Sequence, residues 1–163
     1  MPGAYRPERK RNPFVGSAAG GRGLSALQRP FFEIRPPRGY GVLTTIGRKT
    51  GQPRPRCVRA IRRGDRAFLV AIGGPATAWV KNIRARPRVT LRVGGGRFGG
   101  FAREPRDDSE RQEAMRAYCD TVHGFDLAAC AMHRRGLPSR AKVRELHLRW
   151  FGRGLPLVVD LEA

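Results

Sequence analysis

The sequence predicts an α+β fold, a barrel of about six mostly antiparallel strands with short peripheral helices. Three observations carry that prediction. Short apolar runs recur along 163 residues of 40% hydrophobic composition, enough for one domain with a core. Glycine-bounded turns join most neighbouring runs closely enough for hairpins. The helical segments come singly or after the strands, without the strict strand and helix alternation of a doubly wound sheet.

The elements follow in order. Residues 1–30 mix Arg9, Lys10 and Arg11 with a run of small residues from Gly16 to Gly23 and read as a flexible basic arm; 31–163 form the single domain. Phe31 to Ile34 opens it before Pro36-Pro37 and Gly39 intervene. Gly41-Val-Leu-Thr-Thr-Ile46 is the first strand, ending at the turn Gly47 to Gly51. Cys57 to Ile61 and Ala67 to Ile72 form a hairpin around Gly64, the second strand apolar on both faces and therefore central. Thr77 is placed to cap a short helix in which Trp79 and Ile83 share a face, stopped by Pro87. Val89, Leu91 and Val93 alternate with polar residues, and Gly94-Gly-Gly96 turns the chain into Arg97 to Arg103. Asp107 with Glu110 resembles a capping box opening a helix through Tyr118 that ends by Gly124. A further helix is expected between Ser139 and Trp150, and Leu155 to Leu161 closes the chain as a strand.

Charge narrows the function. Against 13 acidic residues stand 33 cations, of which four are lysines, for a net charge of +20. An anionic partner is implied, whether nucleic acid, a membrane surface or an acidic small molecule. Two readings compete, an arginine surplus spread over solvated faces and a local anion site. Cys57, Cys119 and Cys130 form no CxxC pair, His123, His133 and His147 are scattered, and neither pattern suggests a metal. No long apolar run marks a membrane span or a secretory signal, and a cytoplasmic protein is expected.

The densest basic motif is Gly47-Arg48-Lys49-Thr50-Gly51-Gln52-Pro53-Arg54, with three cations and a hydroxyl between glycines that let a ligand approach the backbone. It is not a P-loop, because five residues separate Gly41 from Gly47 and Arg48 occupies the place of the lysine. With Leu43-Thr44-Thr45 before it and Trp79-Val80-Lys81-Asn82 and Ala85-Arg86-Pro87-Arg88-Val89 after it, the segment resembles the deazaflavin-dependent nitroreductase family.

The resemblance implies a split β-barrel that binds coenzyme F-420, a deazaflavin with a phosphodiester and a tail of glutamates, FMN being the less expected ligand. It implies that Arg48, Lys49, Thr50 and Arg54 hold the phosphate and the start of the tail. Trp79 and Asn82 would border the cofactor, and the backbone of Ile72, Gly73 and Gly74 would approach the deazaflavin. Arg56, Arg59 and Arg62 are extra cations that would grip a longer tail. The implied activity is that of an oxidoreductase, hydride transfer to an organic acceptor such as a quinone or nitro compound. Expected partners are that small molecule and, left open, a second copy in a homodimer and a membrane surface. Tyr40, Tyr118 and His123 are candidate proton or hydrogen-bond donors. The competing readings are an FMN- or haem-binding barrel and a nucleic-acid module; the latter is disfavoured because the basic residues carry no stacking aromatics and no recognition motif.

Overall fold

The computed structural model describes residues 30, 31, 34 and 36–163. The expected basic arm lies, Pro30 apart, outside the described residues. Phe31 and Ile34 are exposed.

Six strands form the barrel: β1 (Tyr40–Ile46), β2 (Pro53–Arg63), β3 (Arg66–Ala71), β4 (Arg88–Val93), β5 (Gly96–Arg103) and β6 (Leu155–Leu161). They close in the order β1-β2-β3-β6-β5-β4, and every pairing is antiparallel, where the sequence led us to expect mostly so. Closure leaves the ring without an edge strand, which removes the usual route to edge-to-edge aggregation.

The period of two decides the interior. Leu43, Leu69, Leu91, Leu157 and Val159 point inward, and helix α1 (Ala78–Ala85) seals one end by adding Trp79, Val80 and Ile83 to the same cluster. The outer faces of β2, β3 and β6 present Ile61, Phe68, Val70 and Val158 to a second apolar layer, built with helices α2 (Asp108–Asp120) and α4 (Arg140–Arg153) through Ala114, Tyr118 and Phe151. This explains why β3 is apolar on both faces. Gly94 and Gly95, both at positive φ, make the β4–β5 turn.

Helix α2 starts where expected, with the Asp107 carboxylate accepting from the Glu110 amide at 2.8 Å. The reciprocal bond is displaced: Glu110 accepts from the amide of Arg106. Two expectations need correction. Strand β2 begins at Pro53, inside the basic motif, because the ladder to β1 continues down to Ile46↔Pro53. A helix the sequence reading lacked, α3 (Gly124–His133), lies between α2 and α4.

The pairing also opens a seam. The β2–β3 ladder covers only residues 60–63 of β2, while β3 runs on to Ala71 against β6 and β2 starts at Pro53 against β1. The two strands therefore part toward the end that carries the basic loop. Among the described residues no helix is long and apolar enough to cross a membrane.

Candidate functional site

The loop between β1 and β2 is tightly made. Gly47 donates to the Gln52 carbonyl and Gly51 to the Gly47 carbonyl, both at 2.8 Å, and Gly51 sits at φ 69°. Thr50 Oγ1 accepts from the Gln52 amide and from Arg54 Nη2, each at 3.3 Å. Gly47 leaves no room for a side chain, since a Cβ there would stand 2.7 Å from Thr50 Oγ1.

Asn82 fastens this loop to the barrel. Its Oδ1 accepts from the Arg48 amide at 3.1 Å and from Arg48 Nη1 at 3.4 Å, and its Nδ2 donates to Thr45 Oγ1 at 3.2 Å. Asn82 is 6% exposed and Thr45 fully buried, so loop, strand and helix meet in a desolvated polar bridge. Such a bridge orients the loop strictly, because any slip leaves a buried polar group unpaired.

Several arginines elsewhere on the molecule are held in ion pairs. Arg66 pairs with Glu113, Arg84 with Glu104, Arg88 with Glu162, Arg103 with Glu110 and Asp160, and Arg144 with Asp120. Among the described residues Arg48, Lys49 and Arg54 meet no carboxylate and are exposed. The motif's cations are thus uncompensated and adjacent in the chain, while exposed cations such as Arg92, Arg97 and Arg140 lie uncompensated on other parts of the surface.

Structure brings the other expected residues to the same end. Ile72, Gly73 and Gly74 follow Ala71, which pairs with Leu155 at the end where β1 stops and β2 starts. Ile72 is 52% exposed, an apolar side chain in solvent beside two glycines. Thr77 precedes α1, but its hydroxyl donates to the Gly74 carbonyl at 2.9 Å instead of capping the helix, which pins the glycine turn. Trp79 is 7% exposed and packs in the barrel core, so it offers little surface to a ligand. Arg86, given no role from sequence, reaches the loop: its Nη1 is 3.6 Å from where a Cβ of Gly51 would be.

Two of the extra cations, Arg59 and Arg62, fall elsewhere, which corrects the idea that they grip a tail. Arg59 is 7% exposed and fully engaged: Nε donates to Asp126 Oδ1 at 2.8 Å, Nη1 to the Tyr118 carbonyl and Nη2 to the Thr121 carbonyl, both at 2.6 Å. Tyr40 donates to Asp126 at 2.8 Å, and the His123 amide does the same. This is a buried staple from β1 and β2 to the α2–α3 junction. Burial pushes the Asp126 carboxyl up, but the Arg59 hydrogen bonds and charge more than reverse it and hold it below the ordinary carboxylate range. Tyr40 and Tyr118 are pushed above the ordinary phenol range, mainly by burial. Both are structural in this setting, not the donors expected. Arg62 binds the Gly64 carbonyl and stacks on Phe98, at the far end of the barrel.

A groove of about 240 Å³ runs along the outer barrel face from Pro53, in the basic motif, past Val42, Thr44, Pro55 and Thr90 to Arg92 and Arg97. Arg92 and Arg97 are cross-strand partners near the Gly94–Gly95 turn, away from the loop end.

Comparison with known proteins agrees with this architecture. A reductase of Mycobacterium tuberculosis named as an F420H(2)-dependent quinone reductase is 38% identical over 71 residues, 40% of this chain and 48% of that protein. A putative counterpart from Mycobacterium bovis matches equally. The chain thus spans about half the length of the curated relatives it matches. Solved structures share the fold at low identity: one titled as an F420-H2 dependent reductase (19% identical, TM-score 0.50, 76% of this chain and 95% of that one). A haem-binding protein of Mycobacterium smegmatis is also similar (16%, TM-score 0.50, 90% and 52%). The barrel is therefore the split barrel that the sequence motifs implied. The family model described as F420H(2)-dependent quinone reductase matches residues 35–140, and the chain belongs to that family.

Proposed function

We propose that the chain is an oxidoreductase that binds coenzyme F-420 at the loop end of the barrel and delivers a hydride from its reduced form to an organic acceptor, with quinones the favoured class. The observation that carries this reading is the basic loop, whose cations lack carboxylate partners while Asn82 fixes its backbone.

The residues present fit such a cofactor. A phosphodiester and several glutamates need clustered cations, and arginine offers paired donors for planar or tetrahedral oxyanions. Arg48, Lys49, Thr50 and Arg54 would hold the phosphate and first carboxylates. Gly73 leaves its backbone exposed beside the exposed Ile72, where a flat ring system could approach, while Gly74 is buried with its carbonyl held by Thr77. Trp79 and Asn82 would support the site from beneath, Trp79 through the core and Asn82 through the loop. When bound, the deazaflavin supplies a two-electron hydride donor. The chain supplies position, positive charge and exclusion of water. A quinone that accepts the hydride takes one proton as well and leaves as the quinol. Tyr118 is enclosed and the Tyr40 hydroxyl serves Asp126, so neither is assigned that proton.

Quinones are favoured because the relatives carry that acceptor in their names. The direct test is to mix the protein anaerobically with reduced coenzyme F-420 and a soluble quinone, and in parallel a nitroaromatic, and follow the return of the oxidised deazaflavin's absorption. Protein-dependent oxidation by the quinone supports the reading; no acceleration with any acceptor, despite cofactor binding, contradicts turnover.

A further inference from the structure

We infer that Arg86 forms a second anion subsite beside the basic loop, one that reads the length of the cofactor's acidic tail. The inference rests on the cofactor reading above and adds a residue which neither the motif nor the family match assigns.

Three observations support it. Arg84 and Arg88 are each in an ion pair, with Glu104 and Glu162, whereas Arg86 between them meets no carboxylate among the described residues. Its guanidinium instead lies against the loop, Nη1 being 3.6 Å from a Cβ position on Gly51. Its backbone is also held firmly. Arg86 N donates to the Asn82 carbonyl at 2.8 Å as the C-cap of α1, and the carbonyl of the following Pro87 accepts from Ala102 at 2.9 Å. Proline also restricts the residue before it, here to φ −144° and ψ 95°.

Asn82 therefore controls both sides of the cluster. Its side chain sets Arg48 and its carbonyl sets Arg86, one turn of helix later. Arg86 thus stands beside a loop whose Arg48, Lys49 and Arg54 likewise meet no carboxylate among the described residues. A ligand with several anionic groups would engage both the loop and Arg86. The phosphodiester uses the loop, and a carboxylate farther along the tail uses Arg86.

The test is fluorescence titration of two deazaflavins, coenzyme F-420 with its full glutamate tail and the same molecule without glutamates. Arg86→Gln is compared with the unaltered chain and with Arg97→Gln, which removes an equal charge on the outer face. Loss of one charge-assisted contact at an exposed site predicts about fivefold to tenfold weaker binding of the full-tail form by Arg86→Gln. The tail-less form should change by less than about twofold, and Arg97→Gln should leave both unchanged. Equal loss for both deazaflavins, no loss for either, or the same loss in Arg97→Gln overturns the inference. If the unaltered chain binds neither deazaflavin, the cofactor reading itself fails, an outcome separate from these.

Discussion

Asn82 Oδ1 accepts the Arg48 amide at 3.1 Å while Asn82 Nδ2 donates to the buried Thr45 hydroxyl at 3.2 Å. One side chain thus couples a core helix, the end of β1 and the basic loop. Asn82→Ala strands two polar partners and should cost about 1–3 kcal/mol of stability. It should also weaken coenzyme F-420 binding about tenfold by releasing the loop. Urea unfolding and fluorescence titration read the two effects separately; a stability loss with unchanged affinity argues against the loop as the cofactor site.

Gly47→Ala probes the same loop without touching the core. Its new methyl would stand 2.7 Å from Thr50 Oγ1 and 3.3 Å from the Gln52 carbonyl, so Thr50 must shift and its contact with Arg54 is disturbed. Affinity for the cofactor should fall several-fold, on the order of 1 kcal/mol, with a smaller change in thermal stability. Titration beside a melting curve checks this.

The Arg59–Asp126 pair is structural. Removing one partner leaves a buried charge, so Arg59→Met or Asp126→Leu alone should cost about 3–5 kcal/mol, and the double replacement should recover most of the loss. Denaturant unfolding of the three variants forms the cycle. Additive losses would show that the two side chains do not act as a unit.

His147 makes stability acid-sensitive. It is 1% exposed, and burial, with Arg59 nearby, pushes its imidazole down to about 4 from 6.5. Asp126 3.7 Å away opposes that shift without reversing it. The folded chain therefore keeps His147 neutral while the unfolded chain protonates it below about pH 6.5. Stability is full above that pH and declines toward pH 4 by on the order of 1 kcal/mol per pH unit. His147→Phe should flatten this limb when unfolding free energies at pH 7 and 5 are compared. An unchanged slope would assign the acid loss to other groups.

Much of the barrel was legible because its strands satisfy local rules. Val89, Leu91 and Val93 alternate with Thr90 and Arg92, and Gly94-Gly-Gly96 turns the chain after them. The loop was legible because its cations are adjacent in the chain. What escaped was non-local. Arg59 looked like one more cation on a basic strand, and its partner Asp126 is 67 residues away. Helix α3 lacks a strong start signal, opening on Gly124, and its first turn is held by the same carboxylate through the His123 amide. Arg86 shared the motif stretch but joins the loop only through the fold.

The loop end of the barrel is proposed here as a deazaflavin site. Its most direct test is fluorescence titration of the chain and of Lys49→Ala with coenzyme F-420, set beside FMN, at low and physiological salt. Selective binding of the deazaflavin is expected, weakening with salt and falling further in Lys49→Ala. Equal binding of FMN, or an affinity unchanged by that substitution, would contradict it.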